Sequence, residues 1–449
     1  MSTNPPLDQK TIRLAFYPSA HGLGHFMRLV HLAQLLLEAT ASRQPTTNTT
    51  SKTDQEKSRP NYHIYVRTNV SPSILASLGA GWPDIDSHPI TFSPYTHPLQ
   101  PTVVQTNPYT LSASQTFDSV IRFNTAAALA QEEAFVEEHG IDAIVSDCPS
   151  IVCTIKNTPS ILVTNFLFDT ILQGLIDLST SEKLSATNPP HPHEEEEEET
   201  TTKVKQFVRE MTAQYAQAST LLLLPGAIPS TYKGRTIPLP FHYRRTASNS
   251  RVQTLSSLPP TTIPPSHLAH VLLPTTKILL HTFGGQPPSS STATPLLPHN
   301  WIVLSQTLHF PSSRIYRIHS DAYIPSLIAA SDAVLGKLGW GMCSEVLGNG
   351  KVPFVYVPRE AFVEEKGLVE WMGREHGGVV RMEGEVFEGG DWRGVLGEIE
   401  GSRRGRGVEE MRDEDGERDG EVVRVFEEEV ARVLRVGKGG EVWCDELCL

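Results

Sequence analysis

Read for polarity alone, the chain alternates short apolar runs with longer segments whose apolar residues recur every three to four positions. Ile12-Arg-Leu-Ala-Phe-Tyr17 leads into Leu29, Leu32, Leu35, Leu36 and Leu37, which predicts a strand followed by an amphipathic helix. Further strands are predicted at Tyr62–Arg67, Ala143–Ser146, Ile161–Val163 and Thr220–Leu224, with a helix over Thr125–His139. A proline-rich run from Pro225 to Pro274 has no clean period and reads as a connection. Beyond it, strands at Lys277–Thr282, Trp301–Ser305, Asp332–Leu335 and Pro353–Val357 are separated by helices, and Glu421–Val436 carries a helical apolar stripe including Val422, Phe426, Val430 and Val433. This alternation predicts parallel α/β architecture. At 449 residues the chain exceeds a single core, so two domains are expected: 1–240 and 276–449, joined by a linker at 241–275. Two polar stretches, 41–59 and 179–202, read as disordered inserts. The second contains Glu194 to Glu199, whose mutual repulsion should keep them solvated or leave them as an acidic docking tract.

Two of the strand-to-helix turns carry chemistry. In Ser331 to Pro358, a short strand from Asp332 to Gly336 is followed by Lys337, Gly339 and Gly341, then by a helix over Met342–Leu347 and a glycine stop at Gly348-Asn-Gly350. The glycines allow close approach of a ligand, the first helical N–H groups suit a phosphate, and Lys337 adds a full charge beside them. Glu345 lies one turn further on, where a carboxylate can accept from two vicinal ribose hydroxyls. An ordinary βαβ turn is the plain alternative. The other turn is His21-Gly22-Leu-Gly24-His25 with Arg28 one helical turn later, a charge for a phosphate or simply for the surface. Histidine at the carboxyl end of a first strand suits acid–base work, because its ordinary pKa lies near neutrality.

Composition narrows the choice of partner. A net charge of −13 without a basic stripe argues against nucleic acid. Five cysteines in no compact spacing support neither a disulfide framework nor a zinc site. Residues 1–10 lack the basic and apolar regions of a signal peptide and no run reaches the length of a membrane span, so a cytosolic protein without an integral membrane segment is expected. Asn48-Thr-Thr50 spells a glycosylation sequon that means little without secretion.

Together the two turns resemble the two halves of a GT-B glycosyltransferase, in which facing Rossmann-like domains hold acceptor and nucleotide-sugar donor in the cleft between them. The N-terminal turn resembles the glycine/histidine loop of the bacterial peptidoglycan precursor N-acetylglucosaminyltransferase. It is closer still to the His-Gly-x-Gly-His-x-x-Arg version in the glycosyltransferase-like part of plant L-arabinokinases. The later segment resembles the donor signature of UDP-glycosyltransferases, with Lys337 standing where many of them have a phosphate-binding histidine. The resemblance implies donor-binding roles for Lys337, Gly339, Gly341, Ser344 and Glu345, and for the turn His281-Thr-Phe-Gly284-Gly285, which is otherwise a plain strand-to-loop turn. The Asp-Gln pair that usually holds the donor sugar is absent, and Glu364-Glu365 is the nearest replacement, or else a solvated charge pair. His25 matches the family's base. Asp147 matches the acid that orients it, with a helix N-cap before Cys148-Pro149 as the alternative.

The resemblance further implies an inverting, metal-independent hexosyl transfer, with a nucleotide diphosphate sugar as co-substrate, no further cofactor, and an unknown hydroxyl acceptor. A nucleotide-sugar epimerase and a non-catalytic nucleotide-sugar binder of the same fold are the alternatives. Asp84-Ile-Asp86 has the spelling of a GT-A metal motif, but its Trp-Pro flank reads as a turn. Kinase activity is not expected, since no phosphate loop of the sugar-kinase type is present downstream and the chain ends soon after.

Overall fold

The computed structural model describes residues 11–19, 22–42, 60–79, 81–185, 194–247, 250–284, 293–308, 312, 314–319, 322–350, 352–359, 362–401 and 412–437. The first domain begins with β1 (Thr11–Tyr17), α1 (Leu23–Ala41), β2 (Asn61–Arg67), α2 (Pro72–Leu78) and β3 (Ile90–Ser93). A two-stranded ribbon, β4 (Gln105–Asn107) with β5 (Thr110–Leu111), precedes α3 (Ala113–Arg122) and α4 (Thr125–His139). Ser112 and Asn124 cap these two helices through their side chains, and Gly140 closes α4 in the left-handed region at φ 58°. Then come β6 (Ala143–Ser146), β7 (Ser160–Thr164), α5 (Phe168–Ser185), α6 (Glu194–Tyr215), β8 (Thr220–Leu223) and β9 (Thr236–Pro238). Among the described residues the sheet runs β3-β2-β1-β6-β7-β8-β9, all parallel. Strands β6 and β7 are buried at every position, as expected of a parallel strand covered on both faces.

The second domain contains α7 (Arg251–Ser256), α8 (Pro265–Val271), β10 (Lys277–Thr282), β11 (Trp301–Ser305), β12 (Ile315–Arg317), α9 (Ile324–Ala330), β13 (Ala333–Gly336) and α10 (Trp340–Gly348). It continues with β14 (Phe354–Tyr356), α11 (Glu364–Glu375), β15 (Val379–Arg381), α12 (Gly384–Gly389), α13 (Arg393–Gly401) and α14 (Arg412–Gly437). Its sheet runs β12-β11-β10-β13-β14-β15, again parallel.

Three expectations change. The linker at 241–275 is shorter than its proline content suggested, because α7 and α8 lie inside it and belong to the second domain. Leu255, Ile263 and Val271 are buried there, and Arg251 ties α7 to Asp332 and the Thr276 carbonyl. The stretch 179–202 is not an irregular insert at its two ends, since α5 extends to Ser185 and α6 begins at Glu194. A glutamate run at a helix start is favoured by the partial positive charge of the unpaired N–H groups, and Glu199 pairs with Lys203 one turn on. The insert at 41–59 falls almost wholly outside the described residues. Finally, Asn349 caps α10 at φ −106°, and the positive φ (130°) falls on Gly350.

One apolar core runs through both domains, from Phe16, Leu29 and Leu32 through Trp340 and Trp371 to Val422 and Phe426. Helices α1 and α10 meet so closely that a Cβ on Gly341 would stand 3.2 Å from the Gly24 Cα. The last helix crosses back onto the first domain, packing on α1, β6 and β7, with the Phe426 ring 6.1 Å from that of Phe16. Phe426 is fully buried, so Phe426→Ala is expected to cost about 3–5 kcal/mol, read as a lower denaturant midpoint. Among the described residues no helix is long and apolar enough to cross a membrane.

Candidate active site

Histidine 25 sits in the first turn of α1, which begins just after Gly22. That glycine adopts φ 139°, a region that a side chain would oppose, and so turns the chain from β1 into the helix. The imidazole reaches across to the carboxyl end of β6. There its Nδ1 lies 2.5 Å from Asp147 Oδ2, with the ring edge-on to Phe166 at 5.4 Å. Asp147 follows β6 and is fully buried. The adjacent 3-10 turn, Ile151–Thr154, is preceded by Ser150, so Asp147 does not cap it and its carboxylate is turned to His25 instead. Arg28 Nη2 also lies 3.0 Å from Nδ1, but the carboxylate is the nearer partner and can only accept, which assigns the proton to Nδ1 and the lone pair to Nε2. That is the tautomer a general base requires.

Arg28, one turn after His25, is buried and its guanidinium is committed. It pairs with Asp147 Oδ1 and donates to Thr164 Oγ1 at 2.9 Å and Asn165 Oδ1 at 2.6 Å. It therefore braces the dyad and is not placed to approach a phosphate. Burial alone would raise the Asp147 pKa, but Arg28 and His25 outweigh it and hold the carboxyl well below the usual carboxylate range. The neighbouring Cys148 thiol is pushed up, first by burial and then by the Asp147 charge.

Across the cleft, β13 delivers Lys337 and the glycine turn to the start of α10, whose N-cap Gly339 makes no side-chain cap bond. Gly284, at φ 67°, places its backbone beside the Lys337 stem, 3.9 Å from Cε to an ideal Cβ. Burial, reinforced by Arg359 and opposed by Glu364, lowers the Lys337 pKa to about 7. Glu345 is buried against the connector between the domains, where Arg244 binds its Oε1 through Nε at 2.7 Å and Nη2 at 2.6 Å. Asn349 fixes that connector by donating to the Arg244 carbonyl and accepting from the Thr246 N–H. Burial raises the Glu345 pKa, and Arg244 opposes it.

No protein-family model matches the sequence. The chain is 26% identical over 369 residues to L-arabinokinase of Arabidopsis thaliana, an alignment covering 80% of this chain and 29% of that protein. It thus matches under a third of the length of that relative. Among solved structures it resembles a UDP-glucosyltransferase from Polygonum tinctorium, described as capable of glucosylating indoxyl. The TM-score is 0.52 at 12% identity, covering 97% of this chain and 100% of the other. It also resembles UGT73P12 of Glycyrrhiza uralensis, solved with glycyrrhetinic acid 3-O-monoglucuronide, with a TM-score of 0.50 at 12% identity and 96% coverage of both. The chain has the GT-B fold.

Within this GT-B frame the two glycine turns touch at Gly24 and Gly341, with His25 and Asp147 paired on one side and Lys337 beside Gly284 on the other. His21 and Gly285 lie outside the described residues. Ser344 turns back to donate to the Gly341 carbonyl at 3.0 Å. Glu364 and Glu365 are neither a solvated pair nor open sugar acceptors. Both are buried, with Glu365 taking the Arg359 N–H at 3.0 Å and Glu364 bonding Asn165 of the first domain at 2.9 Å. His281 is a core residue, fully buried, bonded to Ser305 Oγ at 2.9 Å and flanked by Phe387 and Trp392. Burial pushes its pKa down to about 3. Asp84-Ile-Asp86 forms a short 3-10 turn, as its flank predicted.

Thr164, Asn165, Arg244 and Arg359 were not singled out from the sequence. Thr164-Asn165 had a signal, a polar pair directly after the apolar run of β7. The arginines had none, because their partners lie 101 and 6 positions away with no shared pattern.

His25, Asp147 and Cys148 could in principle hold a metal ion, and among the described residues they are the cluster of that kind. The donor set does not fit one. Arg28 already occupies Asp147 Oδ1, a guanidinium beside the site repels a cation, and the buried thiol resists ionisation.

Proposed function

We propose that the chain is a glycosyltransferase that moves a sugar from a nucleotide diphosphate sugar to an acceptor hydroxyl, with inversion and without a metal. The observation that carries this reading is the His25–Asp147 dyad on one domain, facing the Lys337 and α10 turn of the other across the Gly24–Gly341 contact. His25 Nε2 takes the proton of the acceptor hydroxyl as its oxygen attacks the anomeric carbon, and Asp147 stabilises the imidazolium that results. The bond from that carbon to the diphosphate breaks on the opposite face. Lys337 and the first N–H groups of α10 receive the departing negative charge. Similarity to an L-arabinokinase and to plant glycosyltransferases supports a sugar-handling protein, and the co-substrate is a nucleotide sugar with no additional cofactor.

The other reading is a binder without turnover, and the Arg244–Glu345 pair, which engages the carboxylate expected to meet ribose, bears on donor affinity in both. A thermal-shift screen of nucleotides and nucleotide sugars, followed by acceptor-dependent release of nucleoside diphosphate, tests both. A bound ligand at a hundredfold excess over its Kd stabilises the fold by about 2.7 kcal/mol. Stabilisation with turnover supports transfer, stabilisation alone supports the binder, and no stabilisation by any nucleotide defeats both.

A pH dependence arises from Lys337. With a pKa lowered to about 7 it is protonated below neutrality and loses its charge above it, whereas the bound diphosphate favours the charged form. Affinity for nucleoside diphosphate is therefore expected to fall as pH rises from about 6 to about 9, with proton uptake on binding, and Lys337→Met should flatten the trend. Calorimetric titration at several pH values in buffers of different ionisation enthalpy checks it.

A further inference from the structure

We propose that Asn165 and Glu364 are positioning residues that make the geometry of the His25–Asp147 dyad depend on the two domains being apposed. The inference deepens the transferase reading and rests on it for its meaning, though not for its test.

Asn165 directly follows β7 in the first domain and is fully buried. Its Oδ1 accepts from Arg28 Nη1 at 2.6 Å, while its Nδ2 donates to Oε1 of Glu364 in the second domain at 2.9 Å. A guanidinium can only donate and a carboxylate can only accept, so the orientation of this amide is dictated by its two neighbours. Few side chains could replace it, because it must show an acceptor to one side and a donor to the other. Arg28 in turn holds Asp147, and Asp147 holds His25. The line Glu364, Asn165, Arg28, Asp147, His25 is thus continuous and buried as far as Asp147, where a broken bond is expensive and each partner constrains the next.

Glu364 is presented by the first turn of α11, and α11 is the element that seats against the first domain. A Cβ on Gly174 of α5 would fall 2.6 Å from Val363, and one on Gly367 would fall 2.4 Å from the Gly226 carbonyl in the turn after β8. Both contacts leave no room for a side chain. Separation of the domains would withdraw Glu364 from Asn165, free the amide to rotate, and leave Arg28 held by Thr164 and Asp147, without the Asn165 bond that sets its angle. The base is therefore set in its working tautomer and direction only when the donor-side domain is closed against it.

The test is an exchange of polarity along this line. Asn165→Asp alone sets two carboxylates against each other. Combined with Glu364→Gln it restores a matched set, since the new carboxylate accepts from Arg28 and from the new amide. Asn165→Asp is expected to lower kcat by about tenfold or more while the donor KM stays within about threefold, and the double variant to recover most of the loss. The 15N signals of the His25 ring, which report whether Nδ1 carries the proton, should change in the single variant and return in the double. An Asn165→Asp protein with unaltered ring signals overturns the proposal, as does a folded double variant no better than the single one. If the wild type shows no transfer with any donor, the transferase reading fails, and the ring signals still decide this one.

Discussion

Replacing His25 by alanine is expected to cut sugar transfer by about 10²–10⁴ while leaving the fold and donor binding close to normal. The loss stems from its position: His25 is the group whose Nε2 carries the lone pair, made so by the 2.5 Å contact of Nδ1 with Asp147. The fold should survive because Asp147 does not depend on His25 for neutralisation, as Arg28 still holds its other oxygen. Asp147→Asn should produce a loss of similar size by a different route, presenting an amide that lets the ring settle in the wrong tautomer. Acceptor-dependent release of nucleoside diphosphate, measured beside the melting temperature, separates chemistry from folding. Near-normal transfer by His25→Ala would remove the base from the mechanism.

The second large effect is on stability. Arg28→Gln takes away the cation that offsets a fully buried carboxylate, and it is expected to cost about 3–5 kcal/mol at neutral pH. Its pH dependence has a defined sign. In the unfolded chain Asp147 titrates near about 3.9, whereas in the fold its pKa is held well below that, so the folded state binds fewer protons in between. The stabilisation is present in full above the unfolded value and drains away as pH falls through the folded one. In Arg28→Gln the folded pKa rises, because burial is then less opposed. The variant should be weaker at neutrality and lose less on acidification. Urea melts of both proteins between about pH 3 and pH 7 measure this, and parallel curves would show that Arg28 does not set the Asp147 charge.

The strands were legible because parallel strands buried on both faces need unbroken apolar runs. Ala143–Ser146 and Lys277–Thr282 match their predicted bounds for that reason. Edge strands such as β9 and β15 are short and partly exposed, and their sequences carry no such run. The glycine turns were legible through the backbone freedom they require. His25 and Asp147 could be paired from sequence only through resemblance, since 122 positions separate them. The supporting polar network was not legible. Glu345 and Glu364 looked available for sugar or ribose because an arginine partner such as Arg244, brought in by the connector, leaves no local pattern. The same holds for Arg28, which resembled a surface or phosphate-binding charge until β7 supplied Thr164 and Asn165 around it. The glutamate run, solvated as expected at Glu198 and Glu199, was read as irregular for a different reason. Repulsion between like charges was weighed, and the attraction of a helix start for them was not.

The return of α14 to the first domain bears on the order in which the protein is made. Val422, Phe426 and Val430 belong to the core that also holds Phe16 of β1, yet they are synthesised only after the entire second domain. A first domain newly emerged from the ribosome therefore exposes the apolar face that α14 later covers. It must wait through synthesis of the second domain at a few to tens of residues per second. The nascent protein should consequently hold chaperones until α14 arrives, and a chain halted before Arg412 should remain bound to them.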